Sequence, residues 1–306
     1  KTMPKTNPAL RGMDAIPSME EIMNKIPAEI RTNVKVQEVS NDKLDKLLSK
    51  LKDTFFQYEK VTLPSLGKFY QNGEAPTNGV IHVRPMTGNE QEILSTQRFL
   101  LKTEGINMIF KNCVQEEIKP EEWLIEDRTF LIIYLRGISD GNKYDITVRC
   151  PACDYKMETE IDLNLPVKFC PEELTLDSLK GILPVSKFSF TYRLTNYKDN
   201  QAIEKHSERL KKNENSVVDD TFSYIAATLL MSVEDLTDFE SIMKLVKNLP
   251  LEDMNFLRKT LNNIRFGTET TLELGCTMCG ELFKAELPFD INFFFPRVKK
   301  EKLTRQ

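Results

Sequence analysis

The sequence predicts a multi-domain α+β protein in which a four-cysteine ribbon is split by a mainly helical inserted domain and preceded by an extended and helical N-terminal arm. Three observations carry this reading. Two Cys-x-x-Cys pairs, Cys150/Cys153 and Cys276/Cys279, each lie between stretches of alternating polarity, which is the period of half-buried strands. Much of the segment between the pairs carries apolar residues every three to four positions, the period of helices laid on a core. Residues 1–60 combine a proline-rich lead with one strongly amphipathic stripe.

The chain has 306 residues, 40% of them hydrophobic and 29% charged. That is enough for about two domains and for a core that needs no disulfides. A net charge of −4 gives no bulk attraction to a phosphate backbone. With no apolar run of about 18 residues, a transmembrane helix is not expected.

Residues 1–60 read as the arm. Pro4, Pro8 and Pro17 keep its lead extended, and the capping box Ser18-x-x-Glu21 opens a short helix limited by Pro27. Leu44, Leu47, Leu48, Leu51, Phe55 and Tyr58 then fall on one helical stripe. Such a stripe serves either its own domain or a neighbouring subunit. Residues 61–143 read as an α+β domain. Residues 63–70 form a turn leading into a strand, and residues 79–84 form a strand that Pro85 ends. Thr87-x-x-Glu90 caps a helix carrying Ile93, Leu94, Phe99 and Leu100. A further helix carries Ile106, Ile109, Phe110 and Cys113, and residues 127–138 are apolar nearly all round, which marks a central helix.

Residues 144–170 and 268–296 form the two halves of the ribbon, each a hairpin with one cysteine pair at its tip. Residues 171–267 form the inserted domain. Its strands lie in 183–194, with Phe188, Phe190 and Tyr192 in period two. Its helices are opened by Asp199, by Asp220 and by the box Thr237-x-x-Glu240. The last helix carries Met254, Leu257, Leu261 and Ile264 and stops at Gly267. Three consecutive aromatics, Phe293, Phe294 and Phe295, need burial before a loose basic tail at 297–306.

The four thiols carry the chemistry. Four soft ligands in a tetrahedron suit Zn2+, and two residues between cysteines let one turn bring both sulfurs to one metal. Gly280 and Asp154 follow the two pairs, where such a turn takes a left-handed residue. Cys150, Cys153, Cys276 and Cys279 are therefore assigned as ligands of one structural zinc ion. A closed shell of thiolates leaves no position for water or substrate, so it supplies folding energy and not catalysis. A redox dithiol is the competing reading, but such pairs usually open a helix. Nucleic-acid binding also competes, yet both knuckles are net acidic. Asp145, Asp154, Glu158, Glu160 and Asp162 outnumber Lys143, Arg149 and Lys156, and Glu269, Glu273, Glu281 and Glu286 face Lys284.

No catalytic constellation is visible. His82 reads as a structural strand residue, His206 as part of a solvated helix, and Trp123, Cys113 and Cys170 as packing residues. No phosphate-cradling glycine motif occurs.

An ordered set of short motifs resembles the baseplate hub proteins, or hub assembly proteins, of T-even-like contractile-tailed phages. It runs through Leu63-Pro64-Ser65-x-Gly67-x-Phe69-Tyr70 and Val83-Arg84-Pro85-Met86-Thr87-x-x-Glu90-x-x-Ile93-Leu94. It continues through Glu126-Asp127-Arg128-Thr129-Phe130-Leu131, both cysteine pairs, Leu249-Pro250-x-x-Asp253-x-x-x-Leu257-Arg258-Lys259 and Phe293-Phe294-Phe295-Pro296. The set covers roughly residues 61–296. The resemblance implies a structural, non-enzymatic virion component of the tail baseplate, made in the host bacterial cytoplasm, with other tail proteins as partners. An assembly chaperone absent from the mature virion is the alternative it leaves open, beside a zinc-ribbon nucleic-acid accessory protein. The zinc assignment rests on this chain's cysteines.

Overall fold

The computed structural model describes residues 41–55, 57–70, 74–76, 78–95, 104–212, 219–263, 266–289 and 291–294. The short helix expected after Ser18, Phe99, Leu100, Ile264, Phe295, Pro296 and the basic tail lie outside them. By compactness the chain divides into two units, Lys1–Thr54 and Phe55–Gln306.

Helix α1 spans Asn41–Phe55. Its stripe of Leu44, Leu47, Leu48 and Leu51 is 44–60% exposed. Tyr58, expected on the same stripe, lies beyond the helix because the chain has already become extended for β1 (Glu59–Thr62).

Strand β1 pairs antiparallel with β2 (Val80–Val83). The turn at 63–70 thus follows a strand instead of leading into one. It is set by left-handed Leu66 and Gly67 and by Gly79, which packs on the Leu66 backbone too closely to admit a Cβ. Helices α2 (Gly88–Ser95) and α3 (Glu104–Cys113) follow. Half of the expected Thr87/Glu90 capping box forms, with Thr87 N–H donating to Glu90 Oε2 at 2.8 Å, while Thr87 Oγ1 accepts from Asn89 N–H at 3.3 Å, one position before the Glu90 amide. Central helix α4 (Ile125–Asp140) supplies Leu131 and Leu135 to a core with Leu63, Ile81, Phe110 and Trp123. Trp123 is fully buried and its indole N–H donates to Glu74 O.

The chain then forms the hairpin β3 (Lys143–Arg149) and β4 (Lys156–Asp162). A short β5 (Val167–Lys168) precedes β6 (Lys180–Ile182) and β7 (Ser189–Tyr192). Helices α5 (Tyr197–Lys212) and α6 (Thr221–Leu229) come next, then β8 (Leu230–Val233), α7 (Phe239–Val246) and α8 (Leu251–Leu261). The order β6-β7-β8 makes one three-stranded sheet. Phe190, Ala226, Leu230, Ile242 and Leu257 join its core.

Several element ends differ by a few residues from those expected. Asn196, not Asp199, caps α5: its Oδ1 accepts from Asp199 N–H at 2.8 Å, and Asp199 returns the bond to Asn196 N–H at 3.2 Å while pairing with Arg193. Asp238, not Thr237, caps α7 by accepting from Ser241 N–H at 2.8 Å. In both cases a neighbouring Asx side chain took the role, because its short oxygen reaches the N3 amide as well as a hydroxyl does. Leu230, expected as the last residue of the helix opened by Asp220, instead begins β8, which extends to pair with β7. Gly267 does not stop α8, which ends at Leu261 with Asn262 as its cap. It belongs to β9 (Gly267–Thr268), paired with β5, where its φ of +120° lets the chain pass against the Glu126 side chain.

The hairpin β10 (Thr271–Gly275) and β11 (Leu282–Glu286) and the short α9 (Ile291–Phe294) complete the described chain. The bases of both hairpins share one core: Tyr144, Ile146 and Leu163 from the first, Leu272 and Leu287 from the second, with Phe293 and Ile133. Phe293, fully buried, lies edge-on to Tyr144 at 5.1 Å. Arg136 crosses this core buried, but it is satisfied, donating to Phe293 O at 2.6 Å and Gly141 O at 2.7 Å and pairing with Asp140 at 2.9 Å. A buried cation so surrounded avoids most of the penalty of an unpaired one.

Candidate metal centre

The four predicted cysteines come together. Their sulfurs all lie within 4.8 Å of one another, and they form the one possible metal-holding cluster found among the described residues. Cys150 Sγ is 3.7 Å from Cys279 Sγ, and Cys153 Sγ is 3.7 Å from Cys276 Sγ. Each hairpin thus contributes to both cross pairs. A tetrahedron with Zn–S bonds of ~2.3 Å places its sulfurs ~3.8 Å apart, so these separations fit a single zinc ion. They are far too long for disulfides, and all four thiols are free.

The two tips are built alike. In the first, Cys150 N–H donates to Tyr155 O at 3.0 Å and Asp154 N–H donates to Cys150 O at 2.9 Å. In the second, Cys276 N–H donates to Glu281 O at 2.8 Å and Gly280 N–H donates to Cys276 O at 2.9 Å. Asp154 and Gly280 close these turns in the left-handed region, at φ of +56° and +76°. The first cysteine of each pair is buried and the second is exposed. The backbone N–H groups of Cys279 and Met278 aim at the Cys276 sulfur and hold its thiol down, at about 6, against the pull of burial. The N–H of Tyr155 lowers Cys153 likewise, but desolvation and the hydrogen bonds with the other three thiols leave it pushed up to about 12. Thiols this close favour one thiolate and resist further ionisation unless a cation shares the site.

The surround is acidic and solvated. Arg149 pairs with Asp154 at 3.3 Å, Lys143 with Glu160 at 3.0 Å and Lys284 with Glu273 at 3.4 Å, all at exposed positions. These basic groups are already engaged with carboxylates, which leaves little positive field for a nucleic-acid strand.

The remaining singled-out residues are packing or hydrogen-bonded residues. Cys113 is fully buried and pushed up to about 12 by burial, and Cys170 is buried beside Phe266. His82 Nδ1 lies 2.6 Å from Glu116 Oε1. His206 differs from expectation. Far from facing solvent, its ring stacks on Tyr224 at 4.1 Å and its Nε2 lies 2.8 Å from Asp220, which also takes Lys247 Nζ at 2.7 Å. Tyr224 stands on the next helix, α6, and helical periodicity does not carry from one helix to another, so no local signal pointed to it.

A family model described as T4 bacteriophage base plate protein matches residues 55–296. The match begins where the second compact unit begins. No curated protein and no solved structure matches the chain.

Proposed function

The chain belongs to the T4 bacteriophage base plate protein family, and on that premise we propose that it is a structural subunit of the hub region of the tail baseplate, stiffened by one zinc ion on Cys150, Cys153, Cys276 and Cys279. The observation that carries the metal reading is the convergence of two like-built hairpin tips on one four-sulfur cluster. A closed thiolate shell has no open coordination position, so the ion serves the scaffold. In this reading the ribbon halves, 144–170 and 268–296, are fastened at their tips by the metal and at their bases by Tyr144, Leu163, Leu272 and Leu287. Both ends of the inserted domain, 171–267, are thereby held, beside the α+β domain at 61–143.

The partners are other tail proteins, and the arm, residues 1–60, docks on one of them through the leucine face of α1. Deletion of residues 1–54, which spares β1, is expected to leave the circular dichroism and melting temperature of the remainder unchanged. It should abolish co-assembly with neighbouring baseplate subunits in a reconstitution assay. Unfolding of the truncated chain would show that the arm packs in cis.

Location is tested on purified virions. Quantitative mass spectrometry is expected to find the chain at a fixed ratio to other baseplate subunits. Detection in assembly intermediates alone would favour the chaperone reading.

A further inference from the structure

Where the start of α4 faces β9, a cavity of about 360 Å³ opens, at the lower end of the ~300–1,000 Å³ of small-ligand sites. Ile125 and Phe266 give it apolar walls. Two of the residues that line it, Glu126 and Thr268, each carry a buried polar atom, Oε2 and Oγ1, with no hydrogen-bond partner. Buried carboxyl and hydroxyl oxygens are seldom left so, since each forfeits its hydration with nothing in exchange. Gly267 sharpens the point. A Cβ there would stand 3.2 Å from Glu126 Cβ and Cγ, so this left-handed glycine makes the room that the Glu126 stem occupies. At the rim, exposed Lys168 and Glu269 pair at 3.3 Å.

We propose that this cavity receives one basic side chain, the ammonium or guanidinium tip of a Lys or Arg presented by a partner protein. The chemistry selects that class. An anion would meet the Glu126 carboxylate. A hard metal ion wants about six to eight oxygens, carboxylates among them, and among the described residues Glu126 and Glu269 belong to no metal-holding cluster. A cation on an aliphatic stem brings the N–H donors that Glu126 and Thr268 lack and lays its methylenes on Ile125 and Phe266. Rotation about the Glu126 side-chain bonds brings Oε2 to the cavity, and the exposed Lys168–Glu269 pair parts at little cost to admit the stem.

The charges facing the site agree. Burial pushes the Glu126 carboxyl up, to about 7, with the neighbouring Asp127 adding to the rise. Lys168 and Glu269 at the rim largely offset each other. A bound cation favours the ionised carboxylate, so binding strengthens as pH rises through about 7 and drives Glu126 to titrate at lower pH.

The test uses the full chain with carbon-13 in its glutamate carboxyls, the Glu126 signal being assigned by Glu126→Gln. Acetyl-arginine amide and acetyl-lysine amide are the probes, and acetyl-citrulline amide is the neutral control. At least one basic probe is expected to bind saturably and to move the Glu126 titration midpoint to lower pH. Binding should fall at least about tenfold in Glu126→Gln and a few-fold in Thr268→Val, which keeps the charge. Melting of the Gln variant at or above the wild-type temperature establishes that it is folded. The proposal is overturned if neither basic probe binds, if citrulline amide binds equally, or if both variants bind within roughly twofold of wild type.

Discussion

Cys276→Ser is expected to release the metal and open the hairpin tips while leaving the rest of the fold standing. Wild-type protein dialysed against zinc should retain about one ion per chain by elemental analysis, and the serine variant well under half of that. The expected size follows from the architecture. A four-thiolate site binds zinc with about 10–16 kcal/mol, but only the part coupled to ordering appears as stability. The hairpin bases are already held by Tyr144, Leu163, Leu272, Leu287 and Phe293. What the metal alone holds is the register of two tips whose cysteines, Cys153 and Cys276, are 123 positions apart in the chain. Hydrogen exchange should therefore rise by orders of magnitude at the tip ends of β3, β4, β10 and β11, with little change around Trp123. Chelation of the wild type should reproduce the same map. A folded, protected set of tips in zinc-free wild-type protein would sink the metal reading.

How much of this was legible in the sequence depended on how local the signal was. The cysteine pairs announce themselves because two intervening residues suffice for one turn, and the left-handed residues after them, Asp154 and Gly280, are read from residue type alone. The alternation on either side of each pair gave the hairpins to within a residue or so. Nothing in either hairpin says which other tip it meets. That pairing was inferred from the coordination number of zinc, and it is the sulfur separations that support it. The caps of α5 and α7 were legible as regions and not as residues. Around Asn196 and Asp238 several oxygens compete for the same amides, and the winner depends on how the preceding chain arrives. Two-residue β5 and β9 were not legible at all, because a strand that short has no period. The cavity beside Glu126 was hidden for the same reason. Glu126 belongs to a motif visible as a string, but the cavity beside it is closed by Gly267 and Thr268 of that unpredicted strand.

The Arg84–Glu90 pair shows the same boundary and carries the second large prediction. The sequence marks Glu90 as the far end of a capping box and no more. In the fold its side chain is fully buried and takes donors from the β2–α2 loop and from α3: Arg84 at 3.1 Å, Thr87 N–H at 2.8 Å and Oγ1 at 2.7 Å, and Asn112 at 3.1 Å. Burial alone would raise this carboxyl. The hydrogen bonds from Arg84 and Thr87 outweigh it and hold the group at about 2. Glu90→Gln keeps the shape but leaves the Arg84 guanidinium with no carboxylate there, and one buried pair broken in this way costs ~3–5 kcal/mol. The pH dependence separates this from a packing defect. Because the folded value lies below the ordinary carboxylate value of 4.5, the ionised group contributes its stability in full above about pH 4.5, about 2–3 kcal/mol. That contribution is lost progressively as pH falls from 4.5 towards 2. Urea unfolding should therefore show a wide gap between wild type and Glu90→Gln near neutral pH that narrows on acidification through this window. A gap that stays constant down to about pH 2 would mean that shape and packing, and not the ionised carboxylate, account for the cost.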